Sequence, residues 1–72
     1  MDKKDKVALR KIKESGNYGM LLKLNRIVPE IFKYQSLFKI YNAIRNPKMF
    51  KVERENMLFD DFLKNNGIFF VF

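Results

Sequence analysis

The chain contains no cysteine, histidine, threonine or tryptophan, and only two serines, Ser15 and Ser36. Without cysteine there is no disulfide and no thiol chemistry. Without histidine or cysteine, zinc has no preferred ligand, and a site of carboxylates alone would suit only calcium or magnesium. Neither serine has an obvious base, so no nucleophile–base pair can be proposed. Asp60 and Asp61 are neighbours, which on a helix point about 100° apart and share neither a proton nor a metal. With Glu53 and Glu55 they read as a solvated acidic face. The expectation is a protein that is not an enzyme, with no cofactor, no metal and no small-molecule substrate.

Long apolar runs are absent as well. No stretch approaches the roughly 18 apolar residues of a membrane span, and no apolar leader follows the charged first residues. The expected location is cytoplasmic, although an organelle would fit the same features, and no membrane partner is expected. Glycine and proline are scarce, at 3 and 2 residues, so each one is informative punctuation. With 72 residues the chain reads as a single domain, residues 1–72. A lone core of that size supplies only about 3–5 kcal/mol of stability, so a partner is the remaining source of more.

What the chain has in excess is positive charge, 15 Lys and Arg against 8 Asp and Glu, for a net +7. Residues 1–15 and 16–51 are both net positive, whereas residues 52–72 are net negative and apolar. This asymmetry points to a polyanion for the first two-thirds and to a protein contact, or the core, for the last third. The residue usage is also that of AT-rich coding DNA, a second source for the abundance of lysine.

Residues 2–15 are expected to form a basic helix. Asp2 is the candidate N-cap, Asp5 stands in a weak capping-box position, and Lys11 and Lys13 sit near the end that the dipole favours for cations. Lys3, Lys6, Arg10 and Lys13 fall on one stripe of it. The opposite face, Ala8, Leu9 and Ile12, is narrow, which predicts loose attachment to the core. Residues 20–65 are expected to be a helical core. It begins with a short helix over 20–28, followed by Pro29 in a first turn. The central buried helix over 29–45 then carries Ile31, Phe38, Tyr41 and Ile44 inward. A last helix over 51–65 is closed by Asn66 or Gly67 as a left-handed cap. The fold class is therefore all-α, a small irregular domain of three or four helices with a short extended apolar tail.

Five features carry possible functions. Gly16-Asn17-Tyr18-Gly19 matches the GxxG of KH domains, but such a domain needs a sheet that the sequence scarcely offers, so a helix-ending turn is the better reading. A helix-turn-helix regulator needs a polar recognition helix, and the 29–45 segment is too apolar and the 51–65 segment too acidic for that role. The basic stripe is the stronger signal, since four cations along one helix face can follow a phosphate backbone without reading bases. Lys23, Arg26, Lys33, Lys39, Arg45, Lys48 and Lys51 extend the positive surface, and the predominance of lysine implies point-charge contacts. The aromatic residues follow helical spacing and are read mainly as core, with Tyr18 and Phe50 as candidates for base stacking. Lastly, Ile68, Phe69, Phe70, Val71 and Phe72 form an apolar run after a helix stop, a candidate protein-docking segment.

Together these features predict a small structural or accessory subunit of a large ribonucleoprotein, with a ribosomal protein as the leading reading, whose partners are RNA phosphates and protein subunits. A phage- or virus-encoded adaptor that fills a groove on another protein, and a small DNA-binding regulator, are the alternatives.

Overall fold

Two glycines with left-handed backbone angles, Gly16 (φ 77°) and Gly67 (φ 66°), end the first and last helices of the chain. In both places the next residue donates its N–H to the carbonyl five positions back. Asn17 N–H reaches Ile12 O at 3.0 Å and Ile68 N–H reaches Leu63 O at 2.9 Å. This is the Schellman arrangement, which uses carbonyls that a helix end would otherwise leave open. The computed structural model describes residues 1–72. Five short α-helices run as α1 (Lys3–Glu14), α2 (Tyr18–Ile27), α3 (Pro29–Tyr34), α4 (Leu37–Arg45) and α5 (Phe59–Asn65). A 3₁₀ turn (Pro47–Met49) and two strands of two residues each, β1 (Lys51–Val52) and β2 (Met57–Leu58), lie between α4 and α5. The protein is mostly helical, roughly all-α, with a very small sheet.

The central helix expected over 29–45 is two helices. Gln35 is extended, and Ser36 caps α4 by accepting the Lys39 N–H at 3.2 Å. The neighbouring donor, Phe38 N–H, goes to the carboxylate of Asp5 at 2.9 Å. Asp5 thus serves the start of α4, and Asp2 makes no side-chain cap on α1. Two of the orphan donors of α4 are satisfied this way. The break also lets α4 lie along α1, so α1 is a full member of the core, with Ala8 and Ile12 buried. Between α2 and α3, Val28 leaves the helical region because it precedes Pro29, and Pro29 occupies the first turn of α3 as expected.

The helix expected over 51–65 is also corrected. Only Phe59–Asn65 is helical, and residues 51–58 form a hairpin pairing Lys51 with Leu58 and Val52 with Met57. Its turn is made possible by Asn56 at φ 51°, a conformation asparagine tolerates better than most residues. The Phe59 N–H extends the ladder to Phe50 O at 2.8 Å. So short a hairpin is not stable alone, and packing holds it, since Val52 and Phe59 both belong to the core. Arg54 in the turn also ion-pairs with Glu30 on α3.

The core unites Ala8 and Ile12, Leu21, Leu24 and Val28, Ile40, Tyr41 and Ile44, and Phe59, Phe62, Leu63 and Ile68. Ile31 is only half-buried and Phe38 is 37% exposed, so two of the four residues assigned inward on 29–45 are not in it. One polar side chain is enclosed with them, Asn17, at 2% exposure. Its amide behaves as a peptide group would: Oδ1 accepts the Val71 N–H at 2.8 Å, and Nδ2 donates to Val71 O at 2.9 Å and to Ser15 Oγ at 2.7 Å. The apolar tail is therefore tied to its own domain.

Asn17→Ala removes both bonds to the tail and leaves Val71 unpaired. It is expected to lower stability by about 2–3 kcal/mol, read as an earlier midpoint in urea unfolding followed by circular dichroism. Ile12→Ala is expected to cost about 3–4 kcal/mol. Phe38→Ala, on a ring that stays partly in water, is expected to cost no more than about 1.5 kcal/mol.

Candidate nucleic-acid interface

On α1 the stripe cations Lys3, Lys6, Arg10 and Lys13 are all exposed, opposite the buried Ala8 and Ile12. Two of them are engaged at the surface. Arg10 lies 3.6 Å from Glu14 in an exposed pair, which is worth little and is easily given up. The Lys13 ammonium stands 4.9 Å from the Tyr18 ring centre. Arg26, Lys39, Lys48 and Lys51 are exposed on α2, α4, the 3₁₀ turn and β1, and Lys33 lies over Tyr34.

Lys23 does a different job from the one its charge implies. It is half-buried, and its Nζ donates to Gly67 O at 3.1 Å, joining α2 to the turn after α5. Unlike the exposed cations, its ammonium is engaged by a backbone carbonyl of its own chain.

The structure adds cations that the stripe omitted. At 100° per residue, the side of α1 next to the stripe carries Lys4 and Lys11, with Lys3 at the boundary. Lys3, Lys4 and Lys11 line a shallow cavity of about 230 Å³ between α1 and α4, floored by Val7, Ala8, Phe38 and Tyr41. Lys4 lies 5.4 Å from the Phe38 ring centre, and Lys11 6.0 Å from that of Tyr41. Beyond Tyr41, the Arg45 guanidinium lies 5.5 Å from its ring and 6.0 Å from that of Phe72, and the two rings meet edge to face at 5.9 Å. Cations and rings thus alternate along one face built from α1, α4 and the end of the tail. The available signal was the spacing of Phe38, Tyr41 and Arg45 at i, i+3 and i+7, which is as consistent with a core stripe as with a surface one.

The tail residues separate. Ile68 is buried in the core of its own chain and Phe70 packs against that core. Ile68 is therefore unavailable to a neighbour, which corrects its assignment as a docking residue. Phe69 and Val71 face outward, and Phe72 is 55% exposed beside Arg45. A larger open groove, about 560 Å³, lies on another part of the surface between α3, α4 and the hairpin. Its apolar lining includes Val28, Ile31, Tyr34, Ile40, Phe50 and Phe59. In Gly16-Asn17-Tyr18-Gly19 the first two residues belong to the turn after α1 and the last two open α2, so the segment is a helix-to-helix turn rather than a nucleotide-clamping loop.

Comparison with family models, curated proteins and solved structures finds no match. The functional reading therefore rests on the site alone.

Lys23→Met keeps the side-chain stem and removes the bond to Gly67 O. It is expected to lower stability by about 1 kcal/mol in thermal melting, and to leave the salt dependence of any nucleic-acid binding unchanged.

Proposed function

We propose that this protein is a small non-catalytic RNA-binding subunit of a larger assembly, with a ribonucleoprotein such as the ribosome as its setting. The observation that carries the reading is the state of its cations. Of the 15 Lys and Arg, only Arg10, Arg54 and Lys64 lie within ion-pair distance of a carboxylate, leaving the other twelve without one. A surface with that much uncompensated charge attracts a polyanion, and releasing the polyanion's condensed counterions drives the association. The exposed half of α1 is the main contact surface in this reading. Arg26, Lys39, Lys48 and Lys51 supply further phosphate contacts, and Lys33 and Arg45 do so beside aromatic rings. Lysine ammoniums satisfy phosphate oxygens from many directions, so register along the RNA is set by shape rather than by sequence.

A second reading, a protein-only adaptor, is favoured by the open groove between α3, α4 and the hairpin, whose floor is apolar and whose rim carries charges of both signs. In the leading reading the same groove and the outward residues Phe69 and Val71 serve protein neighbours within the assembly. Capture of partners from native lysate with and without ribonuclease separates the two. Partners lost on nuclease treatment support the RNA reading, and one stoichiometric nuclease-insensitive partner supports the adaptor.

Replacing Lys3, Lys6, Arg10 and Lys13 together by Gln is expected to weaken RNA binding. It should also flatten the plot of log affinity against log salt by about three units. An unchanged slope in a filter-binding titration would falsify the assignment of α1.

A further inference from the structure

We infer that the face shared by α1, α4 and the end of the tail binds unpaired bases, so that the preferred ligand is single-stranded nucleic acid rather than a duplex. The inference rests on the phosphate-binding reading above and deepens it. The juxtaposition that carries it is the alternation of Lys4, Phe38, Lys11, Tyr41, Arg45 and Phe72 along one surface.

Phosphate contact alone calls only for cations. It gives no reason for a phenylalanine to stand 37% exposed at the start of α4 or for another to stand 55% exposed beside Arg45. Both rings lie where cations already gather, and both have ring surface open to solvent. A flat apolar ring between cations is what an unpaired base needs, because the base stacks while its phosphate meets the charge. In a duplex the bases already stack on one another, and these rings would gain nothing from it.

The cations now resting near the rings do not block the site. An ammonium over an exposed ring is held more weakly than a stacked base. The four-carbon stem of Lys4 lets it swing aside and keep its charge next to the incoming phosphate. Tyr41 is nearly buried and acts differently: it meets Phe72 edge to face and so helps set the plane of that ring. Arg45, with its guanidinium near both rings, can stack against a base as well as pair with phosphate. From Phe38 to Arg45 the stripe runs about 10 Å along α4, a length matching roughly three stacked nucleotides. The chemistry is common to RNA and DNA single strands, since every base has a π-face. A preference for RNA would need a contact to the 2′-hydroxyl.

The test uses the full chain and four probes: an oligouridine and an oligothymidine of roughly 12 nucleotides, an RNA duplex, and phosphatidylserine vesicles. Phe38→Leu and Phe72→Leu keep apolar bulk and remove the ring, and matching circular-dichroism spectra establish that they fold. Each is expected to bind the single strands about tenfold more weakly, with the salt slope unchanged and duplex binding unaffected. Phe38→Tyr, which keeps a π-face, is expected to retain wild-type affinity. Equal binding of the two single strands assigns the site to bases in general, and stronger oligouridine binding assigns it to RNA. Either supports the inference when accompanied by the loss in the leucine variants. Undiminished single-strand binding by both leucine variants would overturn the stacking inference, as would an equal loss on duplex. In those cases the α1 phosphate reading stands if the fourfold Gln variant still loses its salt slope. Wild-type binding to vesicles but to none of the nucleic acids would overturn both.

Discussion

One buried amide organises this small protein. Asn17 occupies the position after the glycine cap of α1, where a Schellman turn usually carries an apolar residue. Its side chain is 2% exposed and bonds both the N–H and the carbonyl of Val71. A polar group enclosed to that degree is tolerated only when its hydrogen bonds are made. That requirement fixes the path of the last five residues. With Val71 held, Ile68 enters the core, Phe70 packs against it, and Phe72 comes to rest against Tyr41.

The same constraint joins stability to the candidate interface. An apolar segment that could have been an exposed liability is sorted by its attachment into an inward part and an outward part. The outward part brings a phenylalanine ring to Arg45, so the cation–aromatic face on α4 continues beyond the helix. At the opposite end of α4, Asp5 of α1 accepts the Phe38 N–H and fixes where that ring emerges, under Lys4. Two long-range hydrogen-bonding arrangements, one at each end, thus set the limits of the face.

Charge works within this frame without creating it. The ion pairs are surface pairs, Arg10 with Glu14, Lys64 with Asp60, and Arg54 with Glu30 and Glu55, and such pairs contribute little individually. The exception among the cations is Lys23, whose ammonium serves a backbone carbonyl. The remaining cations have no carboxylate within ion-pair distance, because carboxylates are few and most are spent locally.

The mostly helical class, the basic face of α1, the placement of Pro29 and the glycine stop after α5 were all legible in the sequence. Each rests on local physics: helical periodicity, the fixed φ of proline and the left-handed freedom of glycine. The split at Gln35-Ser36 and the hairpin at residues 51–58 were not. Apolar spacing across both segments fits a continuous helix, and the local signals against it, Ser36 as a cap and Asn56 in a turn, decide only together with distant ones: Asp5 accepting at the start of α4, and Val52 and Phe59 finding places in the core. The interface divides in the same way. The stripe Lys3, Lys6, Arg10 and Lys13 follows from helix geometry alone. Phe38 and Phe72 read as core or docking residues until the approach of α1 to α4, and of the tail to Asn17, decided which rings remain in water. Local backbone preferences act within a few residues and can be read along the chain. Exposure depends on which elements cover one another, and the long-range bonds of Asp5 and Asn17 settle that only in three dimensions.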